Sequence, residues 1–206
     1  MLAPRLVLVA LALALAACAG KARTTATDAG FEVTGVGEPC VTGDESQPNF
    51  SSFAVTELNV ETASPACATG LCLVNHFQGR VSCKYGQTDQ DLAAGTPRCF
   101  VPGSAATPIN VPVLPQLVDR QADKVVYCSC RCDGPDPNAR YCACPDGYAC
   151  THLFDDLGLP GSTALAGSYC VKDRTQYDPR APQPNGVCVP DALDPTQGSC
   201  GPVPAP

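Results

Sequence analysis

The chain has 206 residues, with 20 acidic against 13 basic side chains, a formal charge of −7 and 15 cysteines. An acidic balance argues against nucleic acid as a partner and against electrostatic docking on anionic membranes. With 21 prolines, 18 glycines and few large aliphatics after residue 18, long regular elements and a core of ordinary size are both excluded, so crosslinks must do part of the work of a core.

Residues 1–17 read as a signal peptide. Arg5 precedes an apolar run from Leu6 to Ala17, which is the layout of a secretory leader and too short to span a membrane. The run ends Leu15-Ala16-Ala17-Cys18. That ending resembles the lipobox of bacterial lipoproteins. The resemblance implies cleavage before Cys18, a diacylglycerol on its sulfur and an acyl chain on its amine. Several acyl chains anchor a protein stably. Ala19, not Asp, follows the cysteine. By resemblance to enterobacterial sorting, this implies the outer membrane of the cell envelope.

Residues 18–37 are small and polar, and predict a lipidated tether. A first cysteine-rich module follows over 38–103, with Cys40, Cys67, Cys72, Cys83 and Cys99. Partial alternation predicts a strand over 53–62. Short strands are also predicted at 71–76 and 80–84, joined as a hairpin through Phe77-Gln78-Gly79. Residues 104–126 carry Pro108, Pro112 and Pro115 but no cysteine, and predict an extended connector. A helical turn is expected within 117–124. Val125-Val126-Tyr127 should then enter a second cysteine-rich module, 127–175, as a strand. The tail, 176–206, is proline-rich, with Cys188 and Cys200 closing one loop. The fold class expected is a small disulfide-rich, irregular, β-containing assembly with little helix.

The densest stretch runs from Tyr127 to Cys150 and holds Cys128, Cys130, Cys132, Cys142, Cys144 and Cys150. Packed cysteines serve disulfides, metal ions or redox chemistry. No C-x-x-C occurs in the chain, which disfavours zinc ribbons and thioredoxin-like motifs. C-x-C occurs instead, and residues two apart on a strand point the same way. Each sulfur of such a pair would meet a different partner. The turn-forming Asp133-Gly134-Pro135-Asp136-Pro137-Asn138 should join two short extended runs. Setting Cys18 aside leaves fourteen cysteines, Cys170 included. An even number in an exported chain predicts a disulfide framework. If Cys188 pairs with Cys200, the modules hold five and seven cysteines. Two odd counts require at least one disulfide between the modules.

Two histidines exist, His76 and His152. Cys67, Cys72, His76 and Cys83 form a candidate Cys₃His zinc set, against which stands a plain pairing of these cysteines as disulfides. Asp155-Asp156 and Asp191…Asp194 lack the EF-hand order and read as solvated loop charges. No metal site or cofactor is therefore assigned. No G-x-S-x-G, H-E-x-x-H or recognisable Cys–His frame occurs, so no catalytic residue is assigned and no enzyme is expected.

The order Cys, Gly, Cys, His, Phe, Gly, Cys, Lys occurs twice, from Cys67 to Lys84 and from Cys144 to Lys172, as a duplicated unit or by chance. The Cys142–Cys150 run, C-A-C-P-D-G-Y-A-C, resembles the C-terminal half of an EGF-like module. Its upstream spacing departs from that family, so no calcium site is carried over. The lipobox, the C-S-C-R-C run and L-C-L-V-N-H-F together resemble uncharacterised cysteine-rich lipoproteins of myxobacteria and related bacteria, a group that brings no known activity. The expected function is a cell-envelope lipoprotein acting as a structural or interaction module. Its partners would be the membrane, through the lipid, and a protein or glycan. The alternative is a surface binding protein for a metal ion or glycan.

Overall fold

The computed structural model describes residues 31–32, 34–180, 186–194 and 197–202. The signal peptide, Cys18 and most of the tether lie outside the described residues. In chain order the elements are strand β1 (Phe31–Glu32), a 3-10 turn (Gly43–Ser46), β2 (Leu58–Thr62), β3 (Leu71–Asn75), helix α1 (Asp89–Ala93), α2 (Ala122–Val125), β4 (Val126–Ser129), β5 (Arg131–Asp133), β6 (Cys142–Ala143), β7 (Tyr148–Phe154), a 3-10 turn (Ser162–Ala164) and β8 (Gly167–Lys172). Short, mostly antiparallel strands, little helix and seven disulfides make this a small disulfide-rich β protein.

Three strands, in the order β2-β3-β4, form the first sheet. It is apolar on both faces, and the period of two sorts its side chains. Cys72, Val74, Val126 and Cys128 face a cluster with Phe53 and Phe77. Leu73 and Tyr127, with Leu58 and Val60, face the other way, onto Val171 and Tyr148. That second face meets the other three-stranded sheet, ordered β5-β8-β7. Tyr127 spans the interface. Its ring lies 5.6 Å from that of Tyr148, and its hydroxyl accepts the Lys172 amide hydrogen at 2.8 Å. The exposed edge of β4 is covered by residues 37–39. Gly37 N–H donates to Cys128 O, and Cys128 N–H to Glu38 O.

Disulfides join Cys40 to Cys72, Cys67 to Cys128, Cys83 to Cys99, Cys130 to Cys142, Cys132 to Cys150, Cys144 to Cys170 and Cys188 to Cys200. Cys67–Cys128 is the bond between modules that the odd counts require. The fusion is closer than that single bond, because β4 opens the second module and completes the first module's sheet. As expected of C-x-C, Cys128, Cys130 and Cys132 go to three different partners, but not from one strand face: Cys128 lies on β4, Cys132 on β5 and Cys130 between them.

Several local expectations fail for tertiary reasons. The strand expected from 53 starts at Leu58, because 54–57 form a turn closed by Glu57 N–H to Ala54 O. The 71–76/80–84 hairpin is absent. β3 already has β2 and β4 on its two edges, and Gly79 bridges Phe53 instead. The helical turn falls at 122–125, after a Leu117–Arg120 turn. The 104–126 connector is neither extended throughout, since turns at 105–106 and 118–119 and helix α2 interrupt it, nor a spacer. Ile109 and Val113 are buried against Cys83–Cys99, and the Gln87 amide fastens them by donating to Ile109 O and Val111 O at 2.8 Å. At the end of the expected tether, residues 31–32 pair with β6 and Val36 packs beside Cys130–Cys142. The two echoing stretches are not equivalent. Cys144 closes within its own stretch onto Cys170, whereas Cys67 and Cys72 leave theirs for Cys128 and Cys40; β3 is a central strand and β7 an edge strand.

Candidate functional site

The candidate Cys₃His zinc set is overturned. Cys67, Cys72 and Cys83 each hold a different disulfide partner, so none offers a thiolate. His76 turns away, with Nδ1 3.0 Å from Val55 O and its ring stacked on Tyr177. His152, at the surface, pairs with Asp155 at 2.9 Å. Asp156 accepts from Gly158 N–H and the Ser162 hydroxyl, which holds its carboxyl below the usual range. Asp191 caps its own loop by accepting from Leu193 N–H and Asp194 N–H.

A concavity lies between the two sheets. The chain entering β3, from Ala63 and Ala68 to Leu71, forms one wall. Cys130, Arg131, Arg140, Cys142, Ala164 and Tyr169 form the other, and the groove encloses about 430 Å³. The Cys130–Cys142 disulfide fixes its floor. Arg131 starts β5 and is held by three contacts. Its Nη1 donates to Thr163 O and Ala164 O at 2.9 and 2.7 Å, and its guanidinium sits 5.2 Å from the Tyr141 ring centre. Tyr169 donates its hydroxyl to Leu165 O at 2.7 Å. Burial pushes that phenol up, and Arg131 works against the shift. The loop between β7 and β8 rises beside the groove with Leu157 72% and Leu159 61% exposed.

Two guanidinium groups and no carboxylate line the groove, on a chain of net charge −7. The arrangement can hold an anionic or extended segment against an apolar wall. It presents no imidazole and no free thiol. The sequence reading assigned Arg131 and Arg140 no role. Their positions come from the disulfides and the β7–β8 loop, and the C-S-C-R-C spacing alone carries no sign of a groove.

No family model matches the chain, and neither a curated protein nor a solved structure is significantly similar to it.

Proposed function

We propose that the chain is a cell-envelope lipoprotein, anchored through Cys18, that acts as a disulfide-stapled structural or interaction module without catalysis. The observation that carries this reading is the Cys67–Cys128 bond, which ties together the two strand-bearing halves that share one sheet. A single stiff body is suited to presenting a fixed surface and poorly suited to hinge closure over a substrate. The lipobox supplies the anchor and the outer-membrane address, in keeping with the resemblance to cysteine-rich lipoproteins of myxobacteria. The groove is the face we assign to a protein or glycan partner. Arg131 in its wall favours a second, narrower reading: a surface binder of an anionic glycan.

Membrane fractionation and cross-linking test the two parts. Cys18→Ser should move the protein from membrane to soluble fractions and abolish acyl labelling. A photoreactive residue in place of Thr69, in the groove wall, should give a discrete adduct in intact cells. The same residue in place of Asp89, outside the groove, should not. Persistent labelling of Cys18→Ser would sink the anchor. Equal adducts at both positions would sink the groove.

A further inference from the structure

Among the described residues, four buried side-chain atoms have no hydrogen-bond partner: Thr42 Oγ1, Glu61 Oε2, Ser64 Oγ and Arg80 Nε. Arg80 Nε is accounted for by the Glu45 carboxylate 3.9 Å away. Thr42 and Glu61 line one and the same small cavity, about 240 Å³, beside the 3-10 turn. Thr42 is only 6% exposed. A buried oxygen with no donor forfeits the hydrogen bond that water gave it in the unfolded chain. The two residues that carry such oxygens line one cavity, and one guest seated between them would relieve both.

The cavity is built, not incidental. Asn59 and Glu61 are two apart on β2 and so lie on one face. Gly43 N–H donates to Glu61 Oε1 at 3.1 Å. That bond fixes the carboxylate and leaves Oε2 without a partner. A Cβ at Gly43 would stand 3.0 Å from Glu61 Oε1, so glycine permits the close approach. The turn carrying Thr42 and Asp44 is itself anchored. Arg80 donates to the carbonyls of Glu45, Gln47 and Phe50, and Glu45 accepts from Val81 N–H and Ser82 N–H. Asp44 and Asn59 add oxygens to the lining, Phe53 gives it an apolar wall, and no lysine or arginine lines it.

We propose that Thr42 Oγ1 and Glu61 Oε2, with Asp44 and Asn59, form a binding site for a hard divalent cation of the calcium class. The donor set is all oxygen, with two carboxylates and neutral oxygens beside them, which is calcium chemistry; magnesium demands a stricter octahedron and keeps more of its water. The mouth lets water complete the shell. Sites of this kind on extracellular modules bind with Kd roughly 10⁻⁴–10⁻³ M. The site is separate from the groove and does not rest on its reading.

The test is isothermal titration of CaCl₂ into the intact, oxidised protein freed of metal with EGTA. Saturable binding near the millimolar range is expected, with a weaker response to MgCl₂. Glu61→Gln removes one ligand charge and should weaken binding by about tenfold or more. Thr42→Val should weaken it by less, and Asp155→Asn, on a remote surface loop, should leave it unchanged. Melting in EGTA checks that each variant is folded. Three results would overturn the proposal: no saturable heat with wild-type protein, wild-type affinity in both folded Glu61→Gln and Thr42→Val, or an equal loss in Asp155→Asn. The first would mean that the two oxygens share only an ordered water, the last that calcium follows net charge.

Discussion

His76 stacks on Tyr177 with ring centres 4.1 Å apart and planes 17° from parallel. Arg120 lies 5.5 Å from the same Tyr177 ring and donates to His76 O, Asn75 O and Thr175 O at 2.7, 2.7 and 3.1 Å. Together they stitch the end of β3 to the chain leaving β8. Burial pushes the imidazole down from 6.5, Arg120 adds to that, and the Val55 carbonyl opposes it.

The sign of the resulting pH effect follows from linkage. Below 6.5 the unfolded histidine takes up a proton that the folded one refuses, so the unfolded state gains. Stability from His76 is full above 6.5 and falls as pH drops through 6.5 toward the lowered folded value. Thermal melts across this range should show the slope in the wild type and lose much of it in His76→Gln. A slope unchanged in His76→Gln would move the effect elsewhere.

Among the described residues, Cys67–Cys128 is the one disulfide that crosses the chain between Lys124 and Val125. Cleavage after Arg120 or Lys124, in denaturant without reductant, should therefore leave the halves as one species on a gel. Reductant should release them. In a Cys67→Ser/Cys128→Ser variant they should part without reductant. Wild-type halves that separate unreduced would contradict this pairing.

Arg80 and Glu45 have fully buried side chains. Burial pushes the Glu45 carboxyl up, against the Val81 and Ser82 donors and Arg80. Removing one partner of such a pair strands the other charge and costs about 3–5 kcal/mol. Urea titration of Glu45→Gln should show a loss of that order. Glu45→Gln/Arg80→Met, with no charge left, should recover part of it. Additive losses would mean that the two side chains act independently.

Gly79 has φ +101°, and a Cβ there would lie 2.7 Å from the Leu114 carbonyl oxygen. Gly95 has φ +67° with open space around it. Gly79→Ala should lower the melting point clearly more than Gly95→Ala, by more than about 1 kcal/mol in stability. Equal shifts would show that the clash with Leu114 is relieved elsewhere.

The parts of the fold governed by strand alternation were legible in the sequence. L-C-L-V-N became β3, and C-S-C-R-C sent its sulfurs to separate partners, though as the chain passes from β4 in one sheet to β5 in the other. Parity alone required a bond between modules, though not which cysteines would make it. R-V-S-C-K alternates as a strand should, yet Arg80 is drawn inward by a carboxylate 35 residues upstream, and no local pattern encodes that. The prolines of 104–126 suggested a plain extended connector, hiding both its turns and the fact that Ile109 and Val113 belong to a core. Helix α1 could have been anticipated, since Thr88 and Asp91 form the capping box that starts it. Thr42 and Glu61 are 19 positions apart, and only the folded turn brings them to one cavity.

The disulfide order has a biosynthetic consequence. Only Cys83–Cys99 and Cys188–Cys200 join cysteines that are neighbours in sequence. If the chain is exported N-terminus first, as proposed, it presents Cys40, Cys67, Cys72 and Cys83 together, long before Cys128 emerges 61 residues after Cys67. First-come oxidation would marry Cys67 to the wrong sulfur. The native set then becomes reachable only by thiol–disulfide exchange, so maturation should depend on an isomerase or a shuffling redox buffer and stall under a pure oxidant.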